Sequence, residues 1–325
     1  MEGLKRFYNQ NRKAIWGTIG IIVVIIITIQ MLEYWTKNRK NNYVDNSNNN
    51  ISEEKTNEYN DVYIESNESV ISGDKVSSKK IKDEVKIIDE FFTYCNNNEI
   101  DKAYELLTDE CKEEMFPTVQ KFEQLYLKKI FSNGKATASI EFLNGRTYKV
   151  NIREDALSTG KFEETALQDY ITIKNVDGKE KININRYIGR SVLNKSKTQG
   201  NITIEVLERN RYTDYETYKI KVKNDLDLDI LLDYLANTDS MYLEDSNGLK
   251  YNAYTNELSM VEVMVYKKQE KEITIKFASK YTSTKEIKKI VFSDVEPFKE
   301  TEGTNLENDT DDNIQDSYKF EISID

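Results

Sequence analysis

The chain has 325 residues, with 57 acidic against 46 basic side chains and a formal net charge of −11. It has no histidine, which excludes Ser-His-Asp and Cys-His catalysis, imidazole-based zinc sites and the usual proton shuttle near neutral pH. There is no G-x-S-x-G elbow, phosphate loop or dinucleotide fingerprint, and the short lysine clusters (Lys79, Lys80, Lys82 and Lys285, Lys288, Lys289) sit among acids, which argues against a nucleic-acid partner.

Residues 1–13 carry Lys5, Arg6, Arg12 and Lys13 and read as a cytoplasmic head. Residues 14–32 then run without a charge: Ala14, Ile15, Trp16, and a stretch dominated by Ile21, Ile22, Val23, Val24, Ile25, Ile26, Ile27 and Ile29, closing at Leu32. About 20 such residues cross roughly 30 Å of hydrocarbon as a helix. Trp16 at one end and Tyr34 and Trp35 at the other form an interfacial aromatic belt. A cleaved signal peptide has a shorter apolar core followed by small residues, whereas this run meets Glu33, Tyr34 and Trp35. The expectation is a single uncleaved span, with membrane lipid as its first partner. Four basic residues before it and three after it (Lys37, Arg39, Lys40) favour an inside N-terminus and later domains outside the bacterial cytoplasmic membrane. Gly17 and Gly20 lack the G-x-x-x-G spacing of a helix-dimer face, so a homo-oligomer is left open.

Residues 33–81 are expected to be a disordered tether, because 41–78 are dominated by Asn, Ser, Glu and Asp and hold no period. From Lys82 a helical period appears at Val85, Ile88, Phe92 and Cys95. Asn98 is the expected cap of a second short helix carrying Ile100, Ala103, Tyr104 and Leu107. A segment around Cys111–Met115 and a helix with Val119, Phe122, Tyr126 and Ile130 follow. The period then becomes two at Ala136, Ala138, Ile140 and Phe142, with a hairpin turn at Asn144-Gly145 and alternation resuming at Tyr148, Val150 and Ile152. A second turn lies at Asp177-Gly178. Helices followed by an antiparallel meander predict an α+β domain over 82–195. Cys95 and Cys111 are open to two readings, a disulfide between neighbouring helices or two buried thiols, and spacing alone does not choose.

The stretch FFTYCNNNEIDKAYELLTDECK, then a helix, then hairpins, resembles the cone-shaped cystatin-like superfamily that includes nuclear transport factor two. That resemblance implies a helix-on-sheet cone over about 82–190. Ketosteroid isomerases of the superfamily use a carboxylate base and a Tyr donor inside the cone. Asp89, Tyr94, Tyr104 and Tyr148 supply those residue types here, without a spacing that brings them together. The expectation is therefore no enzyme and no cofactor.

Alternation returns at Ile202, Ile204 and Val206, at Tyr218, Ile220 and Val222, and in further short strands to Ile290–Phe292. Strands recurring every 8–12 residues predict a β-sandwich over 200–298. The segment resembles immunoglobulin-like modules of exported Gram-positive proteins, which implies adhesion or interaction. Asp225, Asp227, Asp229 and Asp233 suggest calcium, but the sixth and twelfth loop positions are Ile230 and Ala236, not Gly and Glu, so they read as the outer face of a strand. Residues 299–325 read as an acidic tail whose alternating Tyr318, Phe320, Ile322 and Ile324 are candidates for a last strand.

Taken together, the expected fold class is an N-terminal transmembrane helix, an α+β cone-like domain and an all-β immunoglobulin-like sandwich. The expected function is a single-pass, extracytoplasmic interaction scaffold that binds other envelope proteins. Its architecture resembles membrane-anchored assembly factors of conjugative type IV secretion. The alternatives are an envelope ligand sensor or adhesion module, and an isomerase-like enzyme.

Overall fold

A computed structural model describes residues 61–69, 71–131, 134–154, 167–233, 239–282, 285–298 and 317–325. The predicted head and span, residues 1–32, and the tether as far as residue 60 lie outside them.

The first sheet has the order β1-β2-β3-β4-β5. Its strands are β1 (Val62–Ser66), β2 (Ala136–Asn144), β3 (Thr147–Glu154), β4 (Leu167–Val176) and β5 (Lys179–Asn183). All pair antiparallel except β1, which runs parallel to β2. Against this sheet pack α1 (Ser78–Asn96), α2 (Ile100–Glu105), α3 (Asp109–Met115), α4 (Val119–Phe122), a π-helical segment (Glu123–Leu127) and α5 (Lys128–Ile130). Ser77, Thr108 and Thr118 cap α1, α3 and α4, each side chain accepting a backbone N–H of the first turn and satisfying a donor that the helix cannot. Along α1 the buried Ile81, Val85, Ile88, Phe92 and Cys95 recur at helical spacing, which turns that face onto the sheet.

The rest of the chain builds two further sheets. One has the order β13-β8-β7-β6 and the other β11-β10-β14-β9-β12, with β15 added on β14. The first contains β6 (Tyr187–Gln199), β7 (Ile202–Tyr212), β8 (Glu216–Asn224) and β13 (Gln269–Phe277). The second contains β9 (Asp229–Leu231), β10 (Met241–Asp245), β11 (Lys250–Asn252), β12 (Met264–Val265), β14 (Ile287–Phe298) and β15 (Tyr318–Ser323), with α6 (Met260–Val263) leading into β12. Ile204, Val206, Ile220 and Ile275 from one sheet and Leu243, Ile290, Phe292 and Phe320 from the other belong to one buried cluster.

The fold class expected from the sequence is corrected. The described residues are mostly β, 50% strand against 23% helix, because apart from short turns such as α6 the helices end by residue 131 and nearly every later element is a strand. Among the described residues no helix is long and apolar enough to cross a membrane. The expected break between domains near 195–200 is also absent. Tyr187 of β6 and Tyr212 of β7 belong to the helix-on-sheet cluster, whereas Ile202, Ile204 and Val206 of β7 belong to the two-sheet cluster. One strand serves both because Leu207 is an extra residue in the β7–β8 ladder: Val206 pairs Ile220 and Glu208 pairs Lys219. Such a bulge reverses which face successive side chains occupy.

Two smaller expectations change as well. The tether does not extend to residue 81, since Val62 is buried and β1 pairs with β2. What holds β1 is distant in sequence: Asp89 on α1 accepts the backbone N–H groups of Asp61 and Val62 at 3.0 and 3.2 Å. Asn98 does not cap α2. It closes α1 in the left-handed region (φ 58) and donates its N–H to Cys95 O, as Asn commonly does after a helix end. At the tail, Tyr318–Ser323 pairs with β14 as a last strand, where the alternation of Tyr318, Phe320 and Ile322 suggested one. The β6–β7 turn needs Gly200, at φ 55, because an added Cβ would collide with the Tyr318 ring and left-handed backbone strains any larger residue.

Candidate functional site

The helix-on-sheet interior is where a cone-type ligand site would lie. The four residues with the right chemistry do not meet there. Asp89 holds β1, as above. Tyr94 Oη donates to Glu90 at 2.8 Å on the surface, Tyr104 Oη donates to Phe116 O at 2.8 Å, and Tyr148 Oη donates to the Glu84 carboxylate. The interior is occupied by rings. Phe91, Phe116, Phe122 and Tyr126 pack with centroids 5.5–6.2 Å apart, Phe122 stacked on Tyr126. Such contacts suit both the apolar bulk and the quadrupoles of the rings.

The carboxylate at the heart of this region is Asp169, which sequence reasoning passed over as one polar residue in a strand. It accepts from Tyr126 Oη at 2.7 Å and from the backbone N–H groups of Tyr170, Asn185 and Arg186 at 2.7, 3.0 and 2.9 Å. Asn185 and Arg186 both have positive φ, 57 and 64, which aims two successive N–H groups at one acceptor, a nest. Burial raises the Asp169 pKa, and these hydrogen bonds oppose the rise. Burial likewise drives Tyr126 well above the usual tyrosine value. With every neighbour committed inward, the pair serves as a sealed structural pin.

Cys95 and Cys111 are free and buried. Burial raises the Cys95 thiol pKa and pushes Cys111 up to about 12, which suppresses the reactive thiolate. The four aspartates around β9 diverge. Asp225 and Asp227 pair with Lys223 and Lys268 at 2.7 and 3.1 Å, Asp229 accepts the Lys267 N–H at 2.8 Å, and Asp233 accepts Ser240 Oγ at 2.7 Å. Among the described residues no cluster of three or more His, Cys, Asp or Glu side chains could hold a metal.

Two polar centres emerge that no linear motif marks. One fastens α3 to the β6–β7 hairpin. Arg190 Nη1 meets Glu113 at 2.7 Å, its Nη2 meets Glu114 at 3.4 Å, and its Nε donates to Asn210 Oδ1 at 3.2 Å. Tyr212 Oη donates to Glu114 at 2.5 Å, and Glu110 accepts from Asn183 Nδ2 and the Arg190 N–H at 2.8 and 3.1 Å.

The other centre is a cavity of about 220 Å³ at one end of the two-sheet region. It is lined by Arg209 and Arg211 of β7, Glu216 of β8, Lys285 before β14, and Ile324 and Asp325 after β15, among others. Glu216 is held by Tyr218 Oη at 2.8 Å, Ser279 Oγ at 3.0 Å and, more loosely, Lys285 Nζ at 3.9 Å. The Lys285 side chain is only 7% exposed, its Nζ donates to Ser279 Oγ at 2.7 Å, and burial lowers its pKa against the opposing pull of Glu216 and Asp245. This is the candidate functional site, because it joins a cavity to converging charged groups.

No family model, curated protein or solved structure matches the chain. The cystatin-like and immunoglobulin-like resemblances therefore rest on sequence pattern alone.

Proposed function

We propose that this chain is a protein-interaction scaffold of the bacterial cell envelope. The apolar run 14–32 holds it in the cytoplasmic membrane, the basic head stays inside, and the remainder lies outside, where it contacts other envelope proteins. Confinement to a membrane raises the effective concentration of any co-anchored partner. The sequence resemblance to assembly factors of conjugative type IV secretion suggests a DNA-transfer machine as the setting.

The observation that carries this reading is the filled helix-on-sheet interior. Phe91, Phe116, Phe122 and Tyr126 occupy the space a cone-type enzyme or sensor would keep for its ligand, and Asp169 is spent on the protein's own donors. A partner therefore meets the outer surface.

The test combines protease accessibility with crosslinking on intact cells. Added protease is expected to remove everything beyond the membrane segment, and crosslinking to capture envelope proteins. In a strain carrying a transfer machine, deletion of the gene is expected to reduce DNA transfer. Protease sparing the bulk of the chain, or release from membranes by carbonate, overturns the proposal.

A further inference from the structure

We propose that the cavity at the end of the two-sheet region binds a carboxylate group, gripped by the guanidinium groups of Arg209 and Arg211.

The argument begins with the bulge at Leu207. Upstream of it, Ile202, Ile204 and Val206 face between the two sheets. In an uninterrupted strand Glu208 and Asn210 would continue that face, because strand side chains alternate. The extra residue reverses the parity. Arg209 then stands opposite Tyr218 and Arg211 opposite Glu216, and directly paired residues share a face. Tyr218 is fully buried in the two-sheet cluster. Two arginines are thus turned inward at the mouth of an otherwise apolar layer.

Their Nε atoms are buried and find no hydrogen-bond partner among the described residues. Arg209 also meets the Tyr218 hydroxyl, and because both Nε atoms are shut off from solvent, a ligand would meet the rest of the two guanidinium groups, whose side chains line the cavity. The nearby carboxylates are engaged elsewhere. Glu216 has Tyr218, Ser279 and Lys285, Glu286 meets Lys288 at 2.9 Å, and Asp325 meets Lys288 at 3.5 Å. The cavity, about 220 Å³, admits a small group and its water.

A carboxylate suits this arrangement better than a phosphate. Its two oxygens can each take one guanidinium donor in a planar contact. The lining also holds Glu216, Glu286 and Asp325, so a dianion would meet more repulsion there than a single charge. The proposal is independent of the envelope reading and holds wherever the chain resides.

The test is calorimetric titration of the full chain in detergent at constant ionic strength. The probes are sodium acetate and the peptide acetyl-Ala-Glu-Ala-amide, compared with inorganic phosphate and chloride. Saturable one-site binding of a carboxylate probe is expected, weakened at least tenfold in R209Q/R211Q and unchanged in K102Q, which alters an exposed lysine of α2. Saturation by acetate alone identifies a free small acid as the ligand; saturation by the peptide alone identifies an acidic side chain of a partner. If the double variant does not fold, T282W, which crowds the cavity without altering charge, is expected to weaken binding by the same order. No saturable binding beyond that of chloride, tighter binding of phosphate than of either carboxylate, or binding unaffected by both R209Q/R211Q and T282W overturns the proposal.

Discussion

The helix-on-sheet region and the two-sheet region bury polar groups in opposite ways. In the first, Asp169 lies among rings and has four donors, each from the protein itself. In the second, Arg209 and Arg211 line a cavity, and their buried Nε atoms find no partner among the described residues. The first arrangement is complete in itself; the second leaves donors unpaired beside an open cavity. Resemblance directs attention to the first region, whereas hydrogen-bond satisfaction directs it to the second, and unsatisfied donors are the more direct physical sign of a missing partner.

The comparison is most severely tested by cutting each core. Phe122 is fully buried and packs against Phe91, Tyr104, Phe116 and Tyr126, so F122A is expected to cost about 3–5 kcal/mol in denaturant unfolding. Ile220, equally buried in the two-sheet core, should tolerate I220V at about 0.5–1.5 kcal/mol. If F122A costs no more than I220V, the ring cluster is not the tight interior described.

A gentler probe is D169N. Burial raises the native pKa of Asp169, so across the window from the ordinary aspartate value up to the native one the folded chain holds the proton more firmly than the unfolded chain. Stability from this group is complete below that window and declines as pH rises through it. Unfolding of wild type and D169N followed across acidic pH should show this slope in wild type and its loss in the variant. A constant offset between them at every pH would show that Asp169 titrates normally.

The smallest effect is expected at the thiols. Buried Cys95 and Cys111, with raised pKa values, should resist a maleimide in the native protein and react on unfolding. Fast native labelling at either would mean that the first core opens.

Alternation made several elements legible. Ala136, Ala138, Ile140 and Phe142 mark the buried face of β2, and Phe320 and Ile322 that of β15, since period-two burial is written locally. β1 was not legible, because Val62 takes its place through Asp89 and β2, both distant in sequence. Asp169 looked like one polar residue in an alternating strand, and its role depends on Tyr126 and on the backbone of Asn185 and Arg186. Arg209 and Arg211 were read past for a similar reason: the bulge that turns them inward has no sequence signature.

By itself, then, the sequence determined which segments are periodic, which chemistries the absence of histidine removes, and where an uncharged apolar run of membrane-spanning length lies. Folding alone decided that one strand is shared by two cores, that a carboxylate is sealed among rings, and that two guanidinium groups face a cavity. Periodicity depends on neighbours along the chain. Polar satisfaction and side-chain direction depend on groups brought together from far apart, and one extra residue in a ladder is enough to reverse the latter.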